Sequence, residues 1–401
     1  MKIRSAALAV LLTVTTVAAC GGGDSGSGRG TAVAGGGGGP SVAVMPGDGS
    51  SRVRPDSRVA VTADGGTLAE VTVRTGGGLV VAGAFTADRT RWRAGRGLKP
   101  DAAYEVTAKA TGSGGKTTTV TSRFRTLKPA GTFGIADITP MSDRSERVGV
   151  GSPIIVTFNR PVSDRAAVER VLEVEAQKPV PGAWRWVSST RVIYRTKKYW
   201  PAHQKVRFTA RLTGVAAAKG VYGVADVTRR FAIGAAQIST VNARTHRMTV
   251  RRDGRVVRTL PVSTGSGGRV VNGEDIFLTA SGVHLVMDKK RVERMTSEGS
   301  GIDPKDKDNG WDVNVNWAVR ISASGEYVHQ SNGGYQYLGV SNQSHGCVRT
   351  TPSGAQWFFG LAQRGDVVDV VGTARRLPWT NGWSYWQLSW NQWRSGSALD
   401  R

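Results

Sequence analysis

The chain has 401 residues, of which 39% are apolar, and its 54 Lys and Arg against 30 Asp and Glu give a formal net charge of +24. This length accommodates two to four domains, and the apolar content is sufficient for buried cores, which excludes a largely disordered chain. The charge favours polyanionic partners such as anionic lipids or cell-wall polymers. The basic residues are distributed along the whole chain, so we expect no nucleic-acid partner.

The N-terminus predicts export and lipidation. A short basic start is followed by a small, apolar stretch over residues 5–17, which is too short to span a bilayer comfortably. The stretch ends in Val17-Ala18-Ala19-Cys20, which resembles the lipobox of bacterial lipoproteins, where the cysteine is diacylated. We therefore interpret residues 1–20 as a lipoprotein signal peptide with Cys20 as the lipidated residue. The protein would then be anchored at the extracellular face of the cell membrane. The alternative is an ordinary secretory signal.

The next segments predict a tether and two β-sandwiches. Eleven glycines in residues 21–39 indicate a flexible linker over 21–40. Residues 41–129 show short alternating segments separated by Gly, Asp and Ser turns, which is typical of a β-sandwich, and residues 130–234 form a second unit of similar length. The pair resembles tandem immunoglobulin-like domains. Trp184, Trp186 and Trp200 are interpreted as core residues of the second sandwich, with carbohydrate stacking as the alternative.

Residues 235–373 predict a mostly β domain with one packed helix. Asp253-Gly254 indicates a hairpin, and the apolar run Ile276–Leu278 indicates a further strand. Thr351 begins a helix that ends near Arg364, and a buried strand follows it. The tail, residues 374–401, contains five tryptophans between Trp379 and Trp393. We expect it to fold back onto the domains, the alternative being a membrane- or glycan-contacting patch.

The predicted nucleophile is Cys347. The sequence contains two cysteines, and if Cys20 is acylated, Cys347 is a lone thiol in an exported protein. His329, eighteen residues upstream, can reach it from a neighbouring strand and act as the base. The carbonyl of Gln330 is a candidate for fixing the histidine tautomer. A structural core cysteine is the first alternative.

The residues beside the cysteine suggest supporting roles. On an extended strand, His345 shares a face with Cys347. Gly346 allows close approach and leaves backbone amides free for an oxyanion hole. Arg349 can bind a substrate carboxylate bidentately. The second alternative is a zinc site formed by His329, His345 and Cys347.

His329 followed by Ser344-His345-Gly346-Cys347-Val348-Arg349 resembles the signature of L,D-transpeptidases with the YkuD catalytic domain. The segments Pro261–Gly265, Trp317–Ile321 and Gln356–Phe358 resemble the same domain, and the tandem sandwiches and Trp-rich tail resemble actinobacterial lipoprotein members. The resemblance implies that Cys347 is acylated and His329 is the general base, with His345 and Gly346 shaping the site. It also implies substrate contacts from Ser344 and Arg349, and from a lid that carries Met287 and Trp311. We further predict that Tyr335 and Asn342 bind substrate.

The implied function is a peptidoglycan L,D-transpeptidase that forms 3→3 cross-links between stem peptides through a cysteine thioester. No cofactor and no metal are expected. Two alternatives stay open at this point. One is an L,D-carboxypeptidase of the same fold, in which water is the acceptor, and the other is a non-catalytic wall-binding lipoprotein.

Overall fold

The computed structural model describes residues 31–33, 38–140, 146–307 and 310–400. The predicted signal peptide, the lipidation site Cys20 and most of the glycine-rich linker lie outside these residues. Within them the fold is mainly β and consists of two sandwiches followed by a third domain and its C-terminal tail. None of the helices in the described ranges combines the length and apolar character needed to cross a membrane.

The first sandwich encloses a core of small aliphatic side chains between a five-stranded and a three-stranded sheet. Alternation is clearest in the Ala103–Gly112 strand, where Tyr104, Val106, Ala108 and Ala110 are buried. Thr31–Val33 pairs with the next strand, so part of the predicted linker belongs to this sandwich. The strands are β1 Thr31–Val33, β2 Ser41–Met45, β3 Ala60–Asp64, β4 Gly66–Thr75, β5 Gly83–Phe85, β6 Arg91–Ala94, β7 Ala103–Gly112 and β8 Thr117–Arg125.

The second sandwich packs two four-stranded sheets, with a small three-stranded sheet beside them. Trp184, Trp186 and Trp200 are buried in its core, as predicted. A short helix, α1 Arg165–Glu169, is capped by Asp164, whose side chain accepts from the Ala167 amide. The strands are β9 Gly131–Phe133, β10 Ile135–Thr139, β11 Glu146–Val148, β12 Ile154–Phe158, β13 Leu172–Ala176, β14 Gly182–Trp186, β15 Arg191–Thr196, β16 Gln204–Ala210, β17 Ala216–Ala218, β18 Val221–Gly223 and β19 Val227–Ile233.

The third domain is built on a nine-stranded sheet of order β25-β30-β20-β21-β22-β29-β28-β27-β26. Its strands are β20 Gln237–Asn242, β21 Arg247–Arg252, β22 Arg255–Ser263, β25 Gly282–Leu285, β26 Asp288–Thr296, β27 Asp312–Arg320, β28 Tyr327–Gln330, β29 Val348–Thr350 and β30 Val367–Val371. Two short strands, β23 Val270–Val271 and β24 Glu274–Asp275, form a separate ribbon. The predicted strand Ile276–Leu278 is wrong: these residues form a turn after β24, because the Asp275 carboxylate accepts from the Phe277 amide.

One helix packs against the strands of the site. Helix α2, Pro352–Leu361, begins after Thr351, whose hydroxyl accepts from the Gly354 amide, and it contacts β27, β28 and β29. It ends three residues before the predicted end. The described residues also form 3₁₀ turns at Ser297–Ser300, Tyr335–Tyr337 and Tyr385–Gln387 and a short helix α3, Trp390–Arg394.

The Trp-rich tail folds back onto the second sandwich. Trp393 is fully buried against Ile155 and Ile193, and its indole N–H donates to the Ala183 carbonyl at 2.9 Å. The Arg195 guanidinium lies 4.7–5.8 Å from the ring centroids of Trp386, Trp390 and Trp393. The tail therefore fastens the third domain to the second sandwich and is not exposed as a binding patch.

Candidate active site

Two adjacent parallel strands bring Cys347 and His329 to one face of the sheet. In the register of β28 and β29, Val328 lies opposite Val348 and His329 lies opposite Arg349. Because side chains alternate along a strand, the two buried valines point into the core, whereas His329, Arg349 and Cys347 point to the other face. There His329 and Cys347 both line a cleft of about 670 Å³, which is of the size that small-molecule sites have.

The His329 ring is held in a defined tautomer. Its Nδ1–H donates to the carbonyl of Gln330 at 2.6 Å, so that Nε2 carries the lone pair. This is the partner predicted from the sequence. The ring is buried, and burial lowers the pKa of His329 to about 4, with a smaller contribution from the charge of Arg349. His329 is therefore a neutral imidazole at ordinary pH, as a general base must be.

The Cys347 sulfur lies between two backbone groups. Its S–H donates to the carbonyl of Gly325 at 3.6 Å, and the Tyr327 amide donates to the sulfur. Burial raises the pKa of Cys347 to about 12, against which the Tyr327 amide and the Arg349 charge act only in part. The resting site therefore holds a neutral thiol and a neutral imidazole, and the thiol donates to Gly325.

The turn before the nucleophile is fixed by Ser344. The Ser344 hydroxyl donates to the Cys347 carbonyl at 2.5 Å and accepts from the Gly346 amide at 3.2 Å. The Gly346 amide is thus occupied in this state, so it is not one of the free backbone amides expected for an oxyanion hole. The φ of Gly346 is +124°, a conformation that requires glycine. Thr279, which the sequence did not reveal, donates to the Gly346 carbonyl at 2.7 Å.

His345 does not act as a second base beside the sulfur but forms part of an aromatic stack at the cleft. Its ring is stacked on Trp311, with centroids 4.6 Å apart, and lies 4.7 Å from the ring of Phe277. Trp311 belongs to the segment that connects β26 to β27, and it lines the cleft together with Met295. The Trp311 ring therefore covers the histidine of the motif at the cleft, and its role as a lid stays a prediction.

Charged residues surround the cleft. Arg349 is half-buried, and its Nε has no hydrogen-bond partner among the described residues. Burial lowers the pKa of Arg349. Glu326 is buried and lies 3.8 Å from both Arg375 and His284. Glu326 and Arg375 also line the cleft, and neither was identified from the sequence. Glu326 precedes His329 by three residues in the sequence, but its position in the wall of the cleft follows only from the arrangement of the strands in the sheet.

Three residues predicted to bind substrate do not line the cleft. Met287 lies against Gly382 of the tail. Tyr335 is half-exposed on the 3₁₀ turn after β28. Asn342 accepts from the Thr264 amide and bonds to His246, so it holds two loops together. All three positions depend on loop packing, which the motif does not encode.

The alternatives from the sequence were a zinc site and a core cysteine. In the described part of the chain, no three His, Cys, Asp or Glu side chains come together in a way that could hold a metal ion. Residue Cys347 as a whole is half-buried; it packs against a small cluster of Val315, Ala318 and Tyr327 at the cleft, outside the main core of the domain. His284, by contrast, is buried in the core, where its ring nitrogens lie 2.8 and 3.3 Å from the carbonyls of Ala280 and Ile321.

A cysteine and a neutral histidine on adjacent strands, under an aromatic lid, define a cysteine acyltransferase site. Comparison with known proteins gives the family. Residues 236–370 match the L,D-transpeptidase catalytic domain, YkuD, and residues 50–216 match a bacterial Ig domain. The chain is 34% identical to L,D-transpeptidase 2 of Mycobacterium tuberculosis (strain CDC 1551 / Oshkosh), over 90% of this chain and 85% of that protein. It is 32% identical to L,D-transpeptidase 5 of Mycobacterium tuberculosis (strain ATCC 25618 / H37Rv), over 90% of this chain and 77% of that protein.

A solved structure supports the same assignment. The structure of an LD transpeptidase in complex with imipenem superposes with a TM-score of 0.50 and 34% identity, covering 59% of this chain and 99% of that one. The chain therefore belongs to the L,D-transpeptidase family. It is an acyltransferase of peptidoglycan stem peptides, with a mainly β fold that joins immunoglobulin-like sandwiches to a YkuD catalytic domain.

Proposed function

We propose that this chain forms 3→3 cross-links between peptidoglycan stems and uses Cys347 as the nucleophile. His329 Nε2 takes the thiol proton as sulfur attacks the carbonyl of the third stem residue. The C–N bond to the terminal D-Ala breaks, D-Ala leaves with that proton, and a thioester remains. The side-chain amine of a second stem's third residue then attacks the thioester and releases the thiol. The observation that carries the proposal is the shared face of His329 and Cys347, with the His329 tautomer fixed by Gln330.

Arg349 is suited to bind a carboxylate of the stem peptide. Its guanidinium forms no ion pair within the described ranges, and its Nε lacks a partner while buried. A buried charge without a counterion is costly, and a carboxylate bound bidentately offsets that cost. The terminal carboxylate of the donor stem is therefore the group that we assign to Arg349.

The chain's two cysteines provide a matched test of the nucleophile. The full chain is incubated with purified tetrapeptide stems, and the products are identified by mass spectrometry. Cys347→Ala should abolish dimers, whereas Cys20→Ala should retain them. Dimers from the Cys347→Ala variant would refute the assignment. A product that consists only of hydrolysed tripeptide would instead identify an L,D-carboxypeptidase.

Acylation by a carbapenem provides a second test of the nucleophile, because the structure of a relative was solved in complex with imipenem. We expect imipenem to add its mass to the intact chain once, at Cys347. The adduct should be lost in Cys347→Ala and retained in Cys20→Ala. Absence of an adduct, together with absence of turnover, would favour a non-catalytic wall-binding protein.

We also propose that the protein is a lipoprotein anchored through Cys20 to the extracellular face of the cell membrane. The support is the lipobox-like sequence before Cys20 and the glycine-rich segment after it. Metabolic labelling with a radioactive fatty acid should mark the chain and the Cys347→Ala variant but not Cys20→Ala. Label that persists in Cys20→Ala would exclude this anchor.

The net charge of +24 supports a further partner, the anionic polymers of the wall, through long-range attraction. Such attraction would concentrate the enzyme where its stem-peptide substrates are.

A further inference from the structure

The hairpin formed by β21 and β22 concentrates positive charge on one rigid element. Residues 244–258 contain six arginines and one acidic residue, Asp253. We refer to this segment as the arginine hairpin. Its arginines are Arg244, Arg247, Arg251, Arg252, Arg255 and Arg258.

The charge of the arginine hairpin is not neutralised internally. Five of its arginines are exposed, and Arg258 is half-buried with its guanidinium over the ring of Trp357. None of the six forms an ion pair with a carboxylate in the part of the chain that the structure describes. Asp253 is already engaged, since it accepts from the Ala236 amide and pairs with His203. The guanidiniums are therefore free for an external anion.

The arginine hairpin is also preorganised. Both strands lie inside the nine-stranded sheet, and six residue pairs connect them. Val256 and Val257 are exposed between the arginines, with exposed fractions of 55% and 46%. A sheet holds the backbone under the guanidiniums fixed, so binding a ligand costs little backbone ordering.

The turn end of the arginine hairpin, which carries Arg251, Arg252 and Arg255, lies away from the catalytic cleft. Strand β22 begins at Arg255 and ends at Ser263, which pairs with Arg349 beside the cleft. Nine extended residues separate the two ends by about 25 Å. A ligand at this turn end therefore leaves the cleft open to stem peptides.

We propose that the arginine hairpin is a docking surface for a linear phosphodiester polymer of the cell wall; the location of that polymer in the wall rests on the function proposed above. Arginine presents a planar fork of donors that binds phosphate oxygens bidentately and stays charged at any physiological pH. Several such groups on one hairpin can contact successive phosphates of one polymer chain. A bilayer is disfavoured as the partner, because two sandwiches separate the arginine hairpin from the N-terminus and because its exposed apolar residues are two valines without an aromatic anchor.

The test measures ligand binding to the chain and does not depend on its enzymatic activity. The full chain is titrated with fluorescent inorganic polyphosphate, and separately with phosphatidylglycerol vesicles. The variant Arg251→Gln/Arg252→Gln/Arg255→Gln should raise the dissociation constant for polyphosphate roughly tenfold. The control Arg58→Gln/Arg93→Gln/Lys109→Gln removes the same charge from exposed, unpaired positions of the first sandwich, and it should change the constant by less than about twofold.

Each outcome decides the proposal. Equal losses in the two variants would mean that only net charge matters and would overturn it. Binding to vesicles that depends on the arginine hairpin, without binding to polyphosphate, would also overturn it. Both variants should form dimers from soluble stems at the normal rate. Failure of the proposed transpeptidase function would appear in that assay and would leave the binding result intact.

Discussion

At the scale of single residues, the site is held in an uncharged resting state. The Cys347 sulfur is surrounded by backbone groups and buried, which penalises the thiolate, and the buried His329 ring is likewise penalised as imidazolium. A preformed thiolate–imidazolium pair is therefore not the ground state. The proton must move as the substrate carbonyl is attacked, which is general-base catalysis. An uncharged thiol is also a weak nucleophile towards oxidants, so this resting state protects Cys347 from oxidation.

This resting state predicts a definite pH dependence. The pKa of Cys347 is raised to about 12 and that of His329 is lowered to about 4, so both groups stay neutral between those values. We expect thiolate absorbance at 240 nm, measured as the difference between the chain and its Cys347→Ala variant, to show no step from pH 5 to pH 9. Acylation by a carbapenem should fall as the pH drops towards 4, because the protonated imidazole cannot accept the thiol proton. A thiolate step below pH 9 would contradict this account.

At the scale of elements, the sequence was sufficient where a local pattern determines the structure. The hairpin at Asp253-Gly254 and the helix start at Thr351 are as predicted, because turn and cap geometry depends on a few neighbouring residues. The placement of His329 and Cys347 on one face of the sheet was also predictable. A spacing of eighteen residues suits two neighbouring strands, and the period of two puts both side chains on one face.

The remaining elements of the site depend on packing between distant segments. Met287 was assigned to the lid, but its sulfur lies beside the tail residue Gly382, and it does not line the cleft. Asn342 connects two loops through its hydrogen bond with His246. Residues Ile276–Leu278 form a turn because the Asp275 carboxylate accepts from the Phe277 amide. Glu326 was overlooked because an acid near a strand start is usually solvated, whereas here it is 4% exposed. None of these contacts can be predicted from a periodic pattern in the sequence.

At the scale of the whole molecule, the tail makes the second sandwich and the catalytic domain one unit. Glu169 of the sandwich accepts from the Ser397 hydroxyl and the Ala398 amide, and Arg195 donates to the Tyr385 and Leu388 carbonyls. Burial lowers the pKa of Arg195 to about 10, so its charge is retained at neutral pH and is stabilised by the surrounding indole rings. The two domains also meet directly, because the Gly149 and Gly151 amides donate to the Arg364 and Gly365 carbonyls.

The interface predicts how the molecule unfolds. Trp393→Ala removes a fully buried indole and its hydrogen bond to Ala183, and it should lower the free energy of unfolding by about 3–5 kcal/mol. Trp390→Ala, at a half-buried position on the same helix, is the matched control and should cost less. In urea titrations we expect Trp393→Ala to separate the unfolding of the second sandwich from that of the catalytic domain. A single transition with an unchanged midpoint would show that the direct contacts at Gly149 and Gly151 suffice, and that the tail does not join the two domains.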